Sequence, residues 1–231
     1  MTEVIEKLAI LHGEPGNVEI TISVVNGEKL ADYTMNARLG IIGGLSILGT
    51  TGIVTPYSCA AWIASIHRGV DVAEAADIRH IVGATGKVSE ASIQRLYKLD
   101  DKSLLEMGDF AGALIKYLRQ KNFTKFTIAG GFAKIAKLSQ GNMDLHSGRS
   151  QLDMVSLASN LESNGAPMSL VKEAYDAKSA ASLLACSGKY PLPEVIANQA
   201  LEVVSSKLQR LDIDVDIVIF DRSGKLIGHA T

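Results

Sequence analysis

Two cysteines in 231 residues, Cys59 and Cys186, exclude a disulfide-stapled scaffold, and no CxxC pair or Cys/His cluster has zinc spacing. Both fall in apolar, helix-like stretches, which predicts two buried thiols in a reducing compartment. An excess of one charge is also missing: 23 basic residues against 25 acidic ones leave a net charge of −2. No basic surplus therefore points to a nucleic acid or an anionic membrane. Long hydrophobic runs are scarce. The longest, Leu39–Val54, is broken by five glycines and followed by Thr55-Pro56, so it is unfit to cross a bilayer as a helix. Met1–Ile10 carries Glu3 and Glu6 and is too polar for a signal peptide. These absences make a cytoplasmic protein the expectation. Three chemical fingerprints are lacking as well: GxGxxG, GxxxxGK[ST] and the GxSxG elbow.

What is present is an ordinary core-forming composition, 47% hydrophobic, and a regular alternation of elements. Val18–Val25 alternates apolar and polar residues, Asn26-Gly27 follows, and Lys29–Thr34 can return, which predicts an opening β-hairpin. After Pro56, Cys59, Trp62, Ile63 and Ile66 recur on one helical face. Strand, glycine turn and helix then succeed one another: Arg79–Ala84 before Ser89–Tyr97, Ser103–Met107 before a helix striped by Phe110, Leu114, Tyr117 and Leu118, and Lys125–Ala129 before Phe132–Leu138. Asp109 is the expected N-cap of the second helix. Four helices follow, at Gln151–Leu161, Met168–Tyr175, Ser179–Cys186 and Pro193–Arg210, then the strand Leu211–Phe220 and a turn at Asp221–Gly224. The alternation predicts an α/β fold with a parallel-rich sheet covered by helices. Residues 1–55 form a smaller first region and residues 56–231 the α/β domain.

Ligands of such sheets bind where strands run into helices. Four glycine turns sit at such places: Gly49–Gly52 with Thr50 and Thr51, Gly83–Gly86 with Thr85, Gly108-Asp109, and Gly130-Gly131. Taken singly each also reads as plain punctuation; together they suggest a nucleotide-like ligand. The densest polar stretch is Gln140–Arg149, with Asp144, His146, Ser147 and Arg149 in a non-periodic loop. A self-bonding loop and a functional one fit it equally well. Lys134 and Lys137 share a helix face that is either solvated or turned to ligand carboxylates. Asp212, Asp214 and Asp216 alternate along one strand face and read as an exposed edge that resists aggregation.

Two long motifs carry a resemblance. Asn36–Val54, NARLGIIGGLSILGTTGIV, and Thr127–Val155, TIAGGFAKIAKLSQGNMDLHSGRSQLDMV, resemble the cobalt-precorrin-5B methyltransferase (CbiD-type) family, with YSCAAWIASIHRGVDVA, GATGKVSE and MGDFAGALIKYLR between them. The resemblance implies a Rossmann-like three-layer α/β/α domain preceded by the remnant of a smaller α+β domain. It further implies transfer of a methyl group from S-adenosylmethionine to carbon 1 of a tetrapyrrole. On that footing Gly49, Thr50, Thr51, Gly52, Thr85, Gly86, Gly108, Gly130 and Gly131 are expected to hold the donor. Asp109 is expected at its ribose or amino group. Arg38, Lys134, Lys137, Ser147 and Arg149 are expected on the acceptor's carboxylates, while Asp144 and His146 orient the macrocycle or accept its proton. Many members have proline at Ala37 and asparagine at Asp109. Against the family the chain is expected to lack an N-terminal segment, with a separate N-terminal partner chain or a homo-oligomer as the partners the resemblance allows. The alternative is a catalytically incomplete corrinoid- or nucleotide-binding module; a nicotinamide reductase is disfavoured by the missing fingerprint.

Overall fold

The computed structural model describes residues 1–46 and 58–231. The chain divides into two compact units, one formed by Met1–Ala37 and Ile41–Ile47, the other by Arg38–Gly40 and Leu48–Thr231.

The first unit holds helices α1 (Thr2–His12) and α2 (Gly27–Ala31). Gly13, at φ 69°, ends α1 by giving its N–H to the Ala9 carbonyl, the usual left-handed stop. The expected hairpin does not form. Asn26 does adopt a left-handed φ of 57°, but it starts α2 instead of joining two strands. Residues 14–23 have no regular structure, and Val18, Ile20, Ile22 and Val24 are exposed. Alternation records an amphipathic segment, and a lone two-stranded ribbon with nothing against its apolar face is marginal in water.

In the second unit, Ser58 caps α3 (Cys59–Ala75) by accepting from the Ala61 N–H. β1 (His80–Ala84), α4 (Lys87–Tyr97), β2 (Leu104–Glu106), α5 (Ala111–Leu118), β3 (Lys125–Gly131) and α6 (Phe132–Ser139) then alternate. Helices α7 (Met154–Ser163), α8 (Met168–Asp176), α9 (Ala180–Cys186) and α10 (Leu192–Leu208) lead to β4 (Asp214–Phe220) and β5 (Leu226–Ala230). The strands form one sheet in the order β2-β1-β3-β4-β5, parallel except for β5. This is the expected α/β architecture. Its central strands are nearly continuous apolar runs because both faces are covered. Ile81, Phe126, Ile128, Ile217 and Ile219 pack into the larger core with α3, α5, α6 and α10, while Val82, Ala129, Val218 and Phe220 meet Ile93 of α4 on the other face. Gly83 lies inside β1, not in a turn. A Cβ there would come within 2.6 Å of Leu114, so its absence lets α5 lie against the strand.

Three expectations are corrected here. Both cysteines are exposed: Cys59 opens α3 and Cys186 closes α9, each on the side of its helix turned from the core. The aspartate series is no exposed edge, because β4 runs between β3 and β5. Asp216 is 2% exposed and pairs with Lys125 on the adjacent strand at 2.7 Å. Only Asp214, at the start of β4, and Asp212, paired with Arg210 ahead of it, are exposed. Finally, Asp109 does not cap α5; Phe110 holds that position without a side-chain bond. Among the described residues no helix is long and apolar enough to cross a membrane.

Candidate functional site

A cleft of about 850 Å³ opens at the carboxyl ends of β1, β3 and β4. Its floor is Thr85-Gly86 after β1 and Gly131 at the end of β3, and its sides are the first turns of α4 and α6. Gly86 and Gly131 occupy the N-cap positions of those helices, so neither offers a capping side chain, and the space where a Cβ would stand is empty at both. The first-turn N–H groups, with the positive end of each helix dipole, therefore face the cleft. Gly130 is needed for a different reason. A Cβ there would lie 2.8 Å from Thr85 Oγ1 and 2.9 Å from Ile135, so glycine lets the two turns pack together. Ala181, Leu184 and Ala185 of α9, with Phe132, Phe220 and Ile227, make the opposite wall apolar. The rim is Asp221, whose Oδ1 accepts from the Ser223 and Lys225 N–H groups and the Ser223 hydroxyl. The Ser223 hydroxyl, first among those donors, holds the carboxyl below its ordinary range.

Gly108 and Asp109 lie beside this cleft and do not line it. Lys134 joins the two places: its Nζ donates to the Thr85 carbonyl at 2.7 Å and pairs with Asp109 Oδ1 at 3.0 Å. The ammonium thus ties the β1–α4 turn, the β2–α5 turn and α6 together.

The loop after α6 packs on the same β2–α5 turn. Leu145 N–H donates to the Asp109 carbonyl and Gly112 N–H to the Met143 carbonyl. Arg149 pairs with Asp144 through Nε at 2.5 Å and Nη2 at 3.3 Å, which lowers the Asp144 carboxyl from its ordinary value. His146 Nδ1 accepts from the Gly148 N–H at 3.0 Å, so a neutral ring carries its proton on Nε2 and presents a donor to solvent. Ser147 is exposed with no side-chain bond among those described. This geometry makes the loop largely self-bonded. It suits orientation of a ligand better than acceptance of a proton, since Asp144 is stabilised as the anion and His146 is turned as a donor.

The four cations expected on the acceptor's carboxylates have different fates. Arg38 gives Nη2 to Glu90 Oε1 of α4 at 2.9 Å, and this partner raises its already high pKa. Lys134 and Arg149 are paired as above. Of these four, Lys137 alone has no carboxylate partner among the described residues; its Nζ donates to the Leu145 carbonyl at 3.1 Å. Gly49, Thr50, Thr51 and Gly52 lie outside the described residues.

Several residues at these places carried no sequence signal of their own. α9 supplies a cleft wall from what read as an ordinary amphipathic helix, and Asp221 and Ser223 read as a closing turn. Their position after β4, at the carboxyl edge of a parallel sheet, was the available clue. Trp62 and Phe110 read as core-stripe residues. Phe110 is half-buried against the core, but Trp62 is 42% exposed, and its Nε1 donates to the Glu106 carbonyl at 3.0 Å.

Two family models match the chain: CbiD over residues 1–56, and CbiD, C-terminal domain, over residues 144–231, together more than half of its length. The chain belongs to the CbiD family. Among similar curated proteins, the cobalt-precorrin-5B C(1)-methyltransferase of Paramagnetospirillum magneticum is 46% identical over 230 residues, covering 100% of this chain and 64% of the relative. The protein of the same name from Brucella anthropi is 48% identical over 231 residues, covering 99% of this chain and 63% of the relative. That from Bradyrhizobium sp. is 48% identical over 227 residues, with 97% and 60% covered. The chain thus spans somewhat under two thirds of the length of these relatives. No solved structure matches it. The C-terminal match takes in the polar loop from Asp144 onward and, with α9 and the Asp221 rim, part of the cleft's lining.

Proposed function

We propose that this chain binds S-adenosylmethionine in the cleft over Gly86 and Gly131 and serves methyl transfer to carbon 1 of cobalt-precorrin-5B. The observation that carries the reading is the pairing of two uncapped helix N-termini with an apolar wall across a glycine floor. The donor's chemistry matches each part. Its carboxylate suits the N–H groups at the starts of α4 and α6, and its adenine suits the wall of Phe132, Leu184 and Phe220. Its ribose hydroxyls suit Asp221, whose Oδ2 is left over by the bonds to Oδ1. Gly130 serves by letting Thr85 close the floor, while Asp109 and Gly108 act at the margin through Lys134.

The donor supplies a methyl group on a sulfonium sulfur, and displacement from sulfur by a carbon nucleophile needs no covalent intermediate on the protein. Alignment and exclusion of water are the chain's tasks. Arg149, Lys137 and Ser147 lie on one loop and the adjacent helix, where they meet the carboxylates of the acceptor. Asp144 holds the Arg149 fork in place and His146 offers an Nε2–H donor.

Titration calorimetry with S-adenosylmethionine and with S-adenosylhomocysteine tests the reading. Binding of both, abolished by blocking the floor with Gly86→Trp, is the expected result. No heat with either compound on the folded chain overturns it.

A further inference from the structure

We infer that Trp62, Phe110 and Lys137 form the binding surface for the flat, carboxylate-fringed macrocycle, a site separate from the cleft and joined to it by Lys134. The inference rests on the methyltransferase reading for the identity of the ring and on geometry for its place. Trp62 is the only tryptophan of the chain. Its indole is held by the Nε1 bond to Glu106, and the β2–α5 turn lies beneath it: a Cβ on Gly108, at φ 61°, would stand 3.3 Å from Trp62 Cζ2. Glycine is thus required twice over, for the backbone angle and for the approach of the ring. A large aromatic surface left 42% exposed yet pinned by a hydrogen bond is pre-organised for a flat partner, because little rotamer freedom is lost on contact.

Phe110 flanks the indole with ring centroids 6.2 Å apart and planes inclined at 54°, giving an aromatic corner. Arg149 closes one side of it, its guanidinium carbon 5.9 Å from the Phe110 centroid. The charge is complementary. Arg149 and Lys134 are balanced by Asp144 and Asp109, but among the described residues Lys137 meets no carboxylate, only the Leu145 carbonyl. Lys137 holds Leu145, whose own N–H donates to the Asp109 carbonyl next to Phe110, so this cation sits on the segment packed against the turn that bears the corner, and it suits an apolar ring with anionic edges. The Lys134 bridge fixes the distance from this corner to the donor cleft.

Uroporphyrin, a flat tetrapyrrole fringed with carboxylates, is the probe. Quenching of Trp62 fluorescence reports binding to the wild-type chain, and the porphyrin absorption shift reports binding to variants. Energy transfer reaches across a protein of this size, so variants locate the site. Trp62→Ala is expected to weaken binding about tenfold, the scale of one stacked aromatic contact. Lys137→Gln, which keeps a donor to Leu145 and removes only charge, is expected to weaken it several-fold at low salt and little at high salt. Circular dichroism confirms that each variant is folded. The inference is overturned if uroporphyrin does not bind, if neither variant changes its affinity, or if S-adenosylmethionine displaces it from a shared cleft. Calorimetry with S-adenosylmethionine on the same samples keeps the two ideas apart: absent donor binding removes the methyltransferase reading, while the variants still decide the site of the ring.

Discussion

The two ends of the sheet use their polar atoms in opposite ways. At the carboxyl ends of β1, β3 and β4 the chain places Gly86 and Gly131, two uncapped helix starts and an open cleft. Toward the amino ends of the same strands it places a closed chain of side chains. His80 Nε2 lies 2.8 Å from Thr127 Oγ1, which in turn donates to Asp216 Oδ2 at 3.4 Å. The same Oδ2 receives the Tyr97 hydroxyl at 2.8 Å and the Lys125 ammonium at 2.7 Å. Burial, then the bond to Asp216, pushes the Tyr97 phenol well above its ordinary pKa. Polar groups that satisfy one another have nothing left for a ligand, whereas backbone donors facing an apolar wall do. Both ends are rich in chemistry-bearing residue types; only the unsatisfied end reads as a site.

The largest way to break this contrast is Asp216→Ala. It leaves the Lys125 charge and the Tyr97 hydroxyl without their acceptor beside a central strand. Removing one partner of a buried pair typically costs 3–5 kcal/mol, so a loss of roughly 3 kcal/mol in unfolding free energy is expected by urea titration. Donor binding at a temperature where the variant stays folded is expected to be unchanged. A loss below about 0.5 kcal/mol, the range of ordinary surface changes, would mean that the closed end does not hold the sheet.

A smaller effect comes from His80. Burial, then the nearby Lys125 charge, lowers its pKa to about 4 against the attraction of Asp216. The native state therefore keeps the ring neutral while the unfolded chain takes up a proton near pH 6.5. More protons bound in the unfolded state mean that stability rises with pH: the contribution is present above about 6.5 and is lost as pH falls toward 4. The ring is partly solvated, so the expected loss is about 1 kcal/mol, well short of the full shift. The difference between wild type and His80→Asn, followed by urea unfolding from pH 7 to pH 4, isolates it from the carboxylates. A flat difference would show that His80 titrates alike in both states.

The same contrast explains how far the sequence could be read. The α/β alternation was legible because each βα unit announces itself locally, by an apolar run, a glycine and an amphipathic helix. That Thr85, Gly86 and Gly131 lie at a cleft on the carboxyl edge followed from the rule that such sheets open their crevices there. Strand order was not legible, and Asp216 shows the consequence: the same alternation reads as an exposed edge or as a buried network depending on whether a neighbour such as Lys125 lies alongside. The partners of Lys134 were hidden for a related reason. Its helix face was right, but nothing in one dimension brings Asp109 and the Thr85 carbonyl to its Nζ. The hairpin at residues 18–34 shows the converse, a clear local signal without the tertiary partner that would make it a strand. Trp62 had the correct spacing for a core stripe, and only the fold shows that its helix begins beyond the edge of that core.

The least disturbing change at the open end sharpens the comparison most. Gly131 has φ −76° and ψ 152°, a conformation open to any residue, and no atom lies within 4 Å of the position its Cβ would take. Alanine there costs no strain and restricts the unfolded chain, so Gly131→Ala is expected to be neutral or stabilising by up to about 0.5 kcal/mol. Its methyl group, however, projects into the cleft beside the N–H groups that begin α6. If those groups receive the donor's carboxylate, the affinity for S-adenosylmethionine falls by roughly tenfold, the cost of about one charge-assisted hydrogen bond. Stability and binding thus move in opposite directions in one variant, which calorimetry and thermal unfolding can read on the same sample. Were Gly131→Ala to weaken folding and leave binding intact, the glycine would be packing punctuation like Gly130, and the open end would lose its claim to the donor.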